Sequence, residues 1–295
     1  MEHKRLLLII NPVSGKKAIL RYLPQVIRTF MDAGCLVTTM VTARKGEATE
    51  FAARYAREYD QLVCCGGDGT LNEVLSGLVA EDIHIPVGYI PCGSTNDFAV
   101  SRGLSSDILS AAEAAASGQL KRYDVGRFGD FCFSYVAAFG AFSWLSYTTD
   151  QNMKNVLGHT AYLLDAVKDL SKVKPWHLKL SADGSVIEGD FLFGAICNST
   201  SIAGTLALPA EQVDTCDGIF EVLLIREPKT LPDLEETIRG LLSQNYDVPN
   251  LEFFHASRIH IEAPADLEWT VDGEFADCHE QIDAEPLPGF LELRS

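Results

Sequence analysis

Long apolar runs are missing from this chain. The longest, Tyr135–Trp144, is broken by Gly140 and Ser143, well short of the roughly 20 residues a membrane helix needs. Only five apolar residues precede the first turn, at Leu6–Ile10, too few for the core of a signal peptide. The expectation is a soluble, cytoplasmic protein whose contact with a membrane is peripheral. Basic charge is also scarce. The net charge of −17 disfavours nucleic acid as a partner and repels anionic lipid. The eight cysteines include no C-x-x-C pair, and the seven histidines no H-x-x-x-H pattern. They read as reduced, mostly buried thiols, and a zinc site is not expected. G-x-x-x-x-G-K-[ST] is absent too, which excludes a Walker A loop.

What is present is a globular composition, 47% hydrophobic and 22% charged over 295 residues, enough for one large or two ordinary domains. The acidity is uneven. Residues 205–295 hold 20 Asp/Glu against 5 Lys/Arg. By contrast, Lys154, Lys168, Lys172, Lys174 and Lys179 meet only Asp165 and Asp169 within residues 154–179. A solvated helix face is the plain account of such an island; a bilayer-facing patch is the functional one.

The first 120 residues alternate strand-like and helix-like segments, as a doubly wound, mostly parallel α/β sheet requires. Arg5–Asn11, Leu36–Val41, Gln61–Cys65 and Pro86–Ile90 read as strands. Ile19–Ala33, Glu47–Glu58, Thr70–Val79 and Ser106–Ala116 read as helices, the first with Leu20, Leu23, Ile27, Phe30 and Met31 at helical spacing. From Lys121 onward short strand-like runs dominate: Tyr123–Arg127, Phe131–Ala137, His177–Ala182, Phe191–Cys197, Phe220–Ile225, Arg258–Glu262 and Leu267–Val271. Helical inserts at about 159–172 and 230–244 interrupt them. This predicts a β-rich, antiparallel, sandwich-like second domain. The expected boundaries are 1–122 for a nucleotide-binding α/β domain and 123–285 for the β-rich domain. Residues 286–295 are a candidate to complete the first, and Phe290–Arg294 could add a strand to either.

The most informative stretch is Leu62–Glu73, where an apolar strand ends in GGDGT and a helical pattern starts at once. Gly66, Gly67 and Gly69 allow a backbone approach that a Cβ forbids. A helix N-terminus offers free N–H groups and a positive dipole end to a phosphate. Asp68 is too acidic to face a bare phosphate, so it implies either a Mg²⁺ between them or a structural role. Three further loops stand at strand ends: NPVSGKK (11–17), PCGSTND (91–97) and VDGE (271–274). In an open α/β sheet such loops converge at the carboxyl edge. Ser14, Lys16 and Lys17 suit a phosphate, and Arg21 could stabilise negative charge. Taken alone, Asp272-Gly273 is a hairpin signal, Asp217-Gly218 another turn signal, and Asp97 a helix cap.

The segments NPVSGKK, GGDGTLNEVLSGL (66–78), PCGSTNDFA (91–99), YDVG (123–126), LPAEQVDTCDG (208–218) and VDGE together resemble the diacylglycerol kinase catalytic-domain family, in its bacterial lipid-kinase branch. The resemblance implies a two-domain kinase with its active site in the cleft between the domains, using ATP and Mg²⁺. It implies ATP contacts from Asn11, Ser14, Lys16, Thr42, Gly66, Gly67, Asp68, Gly69, Thr70, Asn72, Glu73, Thr95 and Glu274. Asp272 becomes the general base for a lipid hydroxyl, most readily that of diacylglycerol. Asp68, Asp97 and Asp124 become an acidic network placing Mg²⁺ and water. A structural Mg²⁺ maps to Asp214, Asp217 and Ile219, the first and last by backbone carbonyl. A homodimer is implied as an option. From their charge, not from the resemblance, Arg21 and the basic-island Lys168 are candidate contacts for the lipid substrate.

Two alternatives stay open at this level. GGDGT also occurs in NAD kinases, against which NPVSGKK and the late DGE segment argue. A nucleotide-binding regulatory protein without turnover is the other, against which the full set of candidate carboxylates argues. Phosphoryl transfer itself asks for positioning and charge neutralisation more than covalent chemistry. The basic island makes a direct prediction. Changing Lys168, Lys172 and Lys174 to Glu should weaken binding to anionic liposomes in a sedimentation assay; unchanged binding would remove the island from any membrane contact.

Overall fold

The structure is a computed structural model of the chain and describes residues 3–15, 17, 19–140, 173–202, 206–277 and 279–295. The expected helix at 159–172, and Lys16 and Lys168, lie outside the described residues. In chain order the elements begin β1 (Lys4–Ile10), α1 (Ile19–Asp32), β2 (Cys35–Val41), α2 (Glu47–Tyr55), β3 (Gln61–Gly66), α3 (Asp68–Ala80), β4 (Val87–Pro91), α4 (Asp97–Ser101), α5 (Ile108–Ser117), β5 (Leu120–Phe128) and β6 (Phe131–Phe133). There follow β7 (Val136–Gly140), β8 (Trp176–Ala182), β9 (Ser185–Cys197), β10 (Ser201–Ile202), β11 (Leu206–Ala207), β12 (Phe220–Arg226), α6 (Leu231–Ser243), β13 (Leu251–Ala256), β14 (Ile259–Glu262), β15 (Trp269–Val271), β16 (Glu274–Ala276) and β17 (Gln281–Arg294). Two compact units result. One is Met1–Val125 with Phe131–Ser134 and Leu287–Ser295; the other is Gly126–Asp130 with Tyr135–Pro286.

The first unit is an α/β layer structure. Its strands run β2-β1-β3-β4, all pairs parallel, and the end of β17 joins β4 in parallel at Leu293–Arg294. Strand β1 is apolar on both faces, as a central parallel strand must be. Leu6, Leu8 and Ile10 pack in one core with Ile19, Val26 and Phe30 of α1 and Ala111, Ala112 and Ala115 of α5. By alternation Leu7 and Ile9 point to the opposite face. The buried stripe of α1 is not quite the expected one. Leu20 and Met31 are 49% and 53% exposed, while Ile19 and Val26 are buried. At about 100° per residue, Ile19, Leu23, Val26, Ile27 and Phe30 span an arc roughly 100° wide, and Leu20 and Met31 fall beyond its edge. Gly77 lets α2 and α3 touch: a Cβ there would come within 2.4 Å of the Thr49 carbonyl oxygen.

The second unit is antiparallel. Strand β9 is its spine, pairing with β8 through Ser185–Phe191, with β7 through Phe193–Cys197 and with β12 through Phe191–Cys197. Strands β13 and β12 pair, as do β14 with β8 and with the first half of β17, and β15 with β7 and β16. Trp269 is flanked by the rings of Phe128 and Phe139, with centroids at 4.7 and 4.9 Å. Gly194 makes room for Phe139, whose ring a Cβ would meet at 2.2 Å. Helix α6 starts on a capping box between Thr230 and Asp233.

Several expected strands change extent. Phe131–Ala137 divides into β6 and β7 because the N–H groups of Tyr135 and Val136 bond to the Asp272 carboxylate, both at 3.1 Å. The run at Leu251–Ala256 forms a strand the sequence reading passed over. Phe290–Arg294 is the tail of a 14-residue strand whose first half pairs in the second unit and whose end pairs in the first. Cys216 is exposed, whereas the other described cysteines are buried. Because Leu8 is wholly buried in the central strand, Leu8→Ala should cost about 2–5 kcal/mol of stability in urea unfolding.

Candidate active site

The chain leaves β1 for β2 on one side and returns to β3 on the other. The sheet therefore has a topological switch between β1 and β3, where ligands of open α/β sheets bind. Asn11 follows β1, and Gly67 follows β3. The loops there are tied by short bonds. The Asn11 amide donates to Thr70 Oγ1 at 3.0 Å. Gly67 N–H donates to Ser14 Oγ at 3.3 Å. The backbone N–H of Asn11 donates to Cys65 O at 2.9 Å, and that of Cys92 to Gly66 O at 2.7 Å. Three glycines make the approach feasible. A Cβ on Gly66 would stand 2.4 Å from the Thr70 side chain, one on Gly15 (φ +50°) 2.4 Å from the Cys92 oxygen, and one on Gly93 2.7 Å from Gly67 Cα.

Helix α3 carries most of the predicted residues, and its polar side chains bind neighbouring loops. Asp68 accepts N–H bonds from Asp97 at 3.0 Å and Phe98 at 3.2 Å. It thus caps α4 from a different helix; Asn96, at the N-cap position, instead closes a turn on Gly93. Glu73 accepts from Gly46 N–H at 2.8 Å and Ala48 N–H at 3.2 Å, capping α2. Asn72 donates to Cys132 O at 2.8 Å. Helix α3 itself starts at Gly67 with no side-chain cap among the described residues. Gly69 and Thr70 lie in its first turn. Thr42 is buried and bonds Ile10 O at the end of β1. Thr95 and Arg21 are exposed, on the β4–α4 loop and on α1.

Structure brings Asp68 and Asp97 together, but through the Asp97 backbone. Asp124 is buried to 2% exposure on β5 and accepts the Gly289 N–H at 2.7 Å. In the second unit Asp272 is 4% exposed and heads the turn joining β15 to β16. Asp272 and Gly273 both take positive φ, 48° and 81°, as in a two-residue type I′ hairpin. Glu274 is exposed at the start of β16. Asp214 and Asp217 each fold back on the backbone two residues on, Asp217 Oδ1 accepting Ile219 N–H at 2.9 Å. The sequence offers Asn96 among the side chains before α4 and a helix start after Lys45-Gly46, and Asn96 and Gly46 both stand at N-cap positions; spacing does not show that Asn96 bonds Gly93, nor that Glu73 caps α2.

Residues 5–128 match the family model described as "Diacylglycerol kinase catalytic domain", and residues 142–294 the one described as "YegS C-terminal NAD kinase beta sandwich-like domain". A diacylglycerol kinase of Bacillus subtilis (strain 168) is 30% identical over 274 residues, 92% of this chain and 90% of that one. One from Staphylococcus saprophyticus is 33% identical over 296 residues, 99% of this chain and 93% of that one. The solved structure of a diacylglycerol kinase from Bacillus anthracis str. Sterne superposes with a TM-score of 0.76 at 21% identity, covering 100% of this chain and 97% of that one, which bears on the fold. Units and loops alike thus define an enzyme of the lipid-kinase class. The chain belongs to the diacylglycerol kinase catalytic-domain family, in its bacterial branch.

Burial pushes the Asp68 carboxyl up from its ordinary value, while the N–H groups of Asp97 and Phe98 pull the other way. Between the ordinary value and that raised one, the folded protein binds more protons than the unfolded chain. Asp68 therefore contributes stability that is present at low pH and lost as pH rises through its folded value. Urea titrations of wild type and Asp68→Asn from about pH 4 to 7 read this directly. Wild-type stability should fall relative to the variant across the window; parallel curves would mean an unshifted carboxyl.

Proposed function

We propose that this chain is an ATP-dependent lipid kinase that transfers the γ-phosphate to a hydroxyl of diacylglycerol, giving phosphatidic acid. The observation that carries the reading is the cradle at the β1/β3 switch point, built from Asn11, Ser14 and Gly66–Thr70, in a chain 30% and 33% identical to two diacylglycerol kinases along nearly its whole length. The N-terminus of α3, which has no side-chain cap among the described residues, presents a positive dipole end to the ATP phosphates. The N-termini of α2 and α4 are already occupied by Glu73 and Asp68.

Asp272 is the general base. A lipid hydroxyl oxygen bonds to the γ-phosphorus, the bond to the β,γ-bridging oxygen breaks, ADP leaves, and the hydroxyl proton goes to the Asp272 carboxylate. Two N–H bonds to Oδ1 hold that carboxylate in one orientation.

Among the described residues no three His, Cys, Asp or Glu side chains gather round one point. Mg²⁺ takes one or two carboxylates and keeps phosphate oxygens and water as further ligands. Asp68 and Asp97 are the carboxylates that would hold it at the phosphates, where it supplies charge neutralisation. The Asp214–Ile219 turn offers hard donors for a structural ion in the Asp217 carboxylate and the carbonyls of Asp214 and Ile219. No helix among the described residues is long and apolar enough to cross a membrane; the reading has the protein meet its lipid from the cytoplasm, transiently at the inner face.

Asp272→Asn is the decisive variant. Its amide oxygen can still accept from Tyr135 and Val136, so geometry survives while basicity goes. Turnover of diacylglycerol with labelled ATP should fall by about 10²–10⁴-fold, with ATP affinity by calorimetry unchanged. Near-normal turnover would reject the base assignment.

A further inference from the structure

Glu73 stands inside the GGDGTLNE motif, where the resemblance makes it an ATP contact. Both of its oxygens are engaged elsewhere. Oε1 takes the Gly46 N–H at 2.8 Å and Oε2 the Ala48 N–H at 3.2 Å. Gly46 holds φ +83° and carries no side chain, so α2 cannot cap itself. The segment Glu73 grips is the loop from Thr42 to Gly46, which leaves the carboxyl end of β2 beside β1. At its start Thr42 bonds Ile10 O, immediately before Asn11. Within the loop, Ala43 N–H donates to Glu47 at 2.6 Å and Arg44 pairs with Glu50 at 2.7 Å. Glu47 and Glu50 belong to α2 and travel with it. Glu73 comes from α3, 25 and 27 residues away, and ties the loop to the helix that starts at the phosphate cradle.

We propose that Glu73 is a positioning residue for the nucleotide: its carboxylate caps α2 and so sets where the Thr42–Gly46 loop stands against bound ATP, without touching ATP itself. This rests on the proposed kinase reading, with Thr42 at the start of that loop taken as an ATP contact. The rest of the α2–α3 contact does not depend on it. Gly77, one turn further along α3, packs against Thr49 and Ala52, so the helices stay together when the carboxylate is removed.

Three measurements on the full chain test this. In Glu73→Ala, the KM for ATP should rise about tenfold with kcat within about twofold, as expected for losing a cap that orders a binding loop. In Glu73→Gln, which keeps one acceptor, the rise should be smaller. Without nucleotide, amides 43–48 of Glu73→Ala should exchange hydrogen faster than in wild type, while those of β1 and β3 should not change. Unchanged exchange at 43–48 alongside a raised KM would assign Glu73 a direct contact and overturn the proposal. An unchanged KM with lowered stability would reduce it to scaffolding and overturn it equally. If wild type itself bound no ATP, the kinase reading would fail, and this inference with it; ATP binding by wild type together with either adverse result in the variants would sink the inference alone.

Discussion

Two carboxylates on one helix hold the working edge of the α/β unit in place. Asp68, at the start of α3, accepts the first N–H groups of α4; Glu73, five residues on, accepts those at the start of α2. Each bond joins a negative charge to the positive end of a helix dipole, the favourable sense of that interaction. Each also satisfies N–H groups that a helix start cannot satisfy from within. Take these two side chains away, and the starts of α2 and α4 lose their side-chain ties to α3.

The same arrangement decides which helix start is left for a ligand. The N-termini of α2 and α4 are filled from inside the protein. That of α3 begins at Gly67 with no side-chain cap among the described residues. Close approach at Gly15, Gly66 and Gly93 leaves no room for Cβ atoms, so peptide groups line the cradle beside the side chains of Asn11, Ser14 and Thr70. That surface suits phosphate, which is recognised by N–H direction and dipole more than by side-chain identity. In the β-rich unit a different economy rules. There a single carboxylate, Asp272, interrupts the strand run at Tyr135 and Val136 and takes up both N–H groups. Its hairpin turn and its candidate catalytic role use the same residue without conflict: the turn fixes the backbone, and the two amides fix the carboxylate.

Much of the fold was legible because it rests on local pattern. Apolar strands ended by glycine-rich loops, each followed by a helical period, predict a parallel α/β sheet, and short runs between Asp-Gly turns predict an antiparallel unit. Errors arose where pattern and contact diverge. Leu20 and Met31 fit the helical period of α1 yet sit just outside its buried arc. Leu251–Ala256 has mixed burial along its length, which blurs the alternation that marks a strand. Phe131–Ala137 looks continuous, but a carboxylate more than a hundred residues away claims its middle. The candidate site was legible as a set of residues but not as a set of bonds. Asp68 could be read as a metal ligand or a turn-former; its partners on α4 cannot be inferred from spacing.

Composition and motif order alone determined that this is a two-part α/β plus β chain with a phosphate-type loop after its third strand. Those features depend on residues within a dozen positions of one another. Which groups meet across distances of 25 to 137 residues, as Glu73 meets Ala48 and Asp272 meets Tyr135, was decided only by tertiary structure. Hydrogen-bond partners depend on the direction of a side chain in three dimensions, and a linear spacing rule carries no such direction once the chain has passed through a loop.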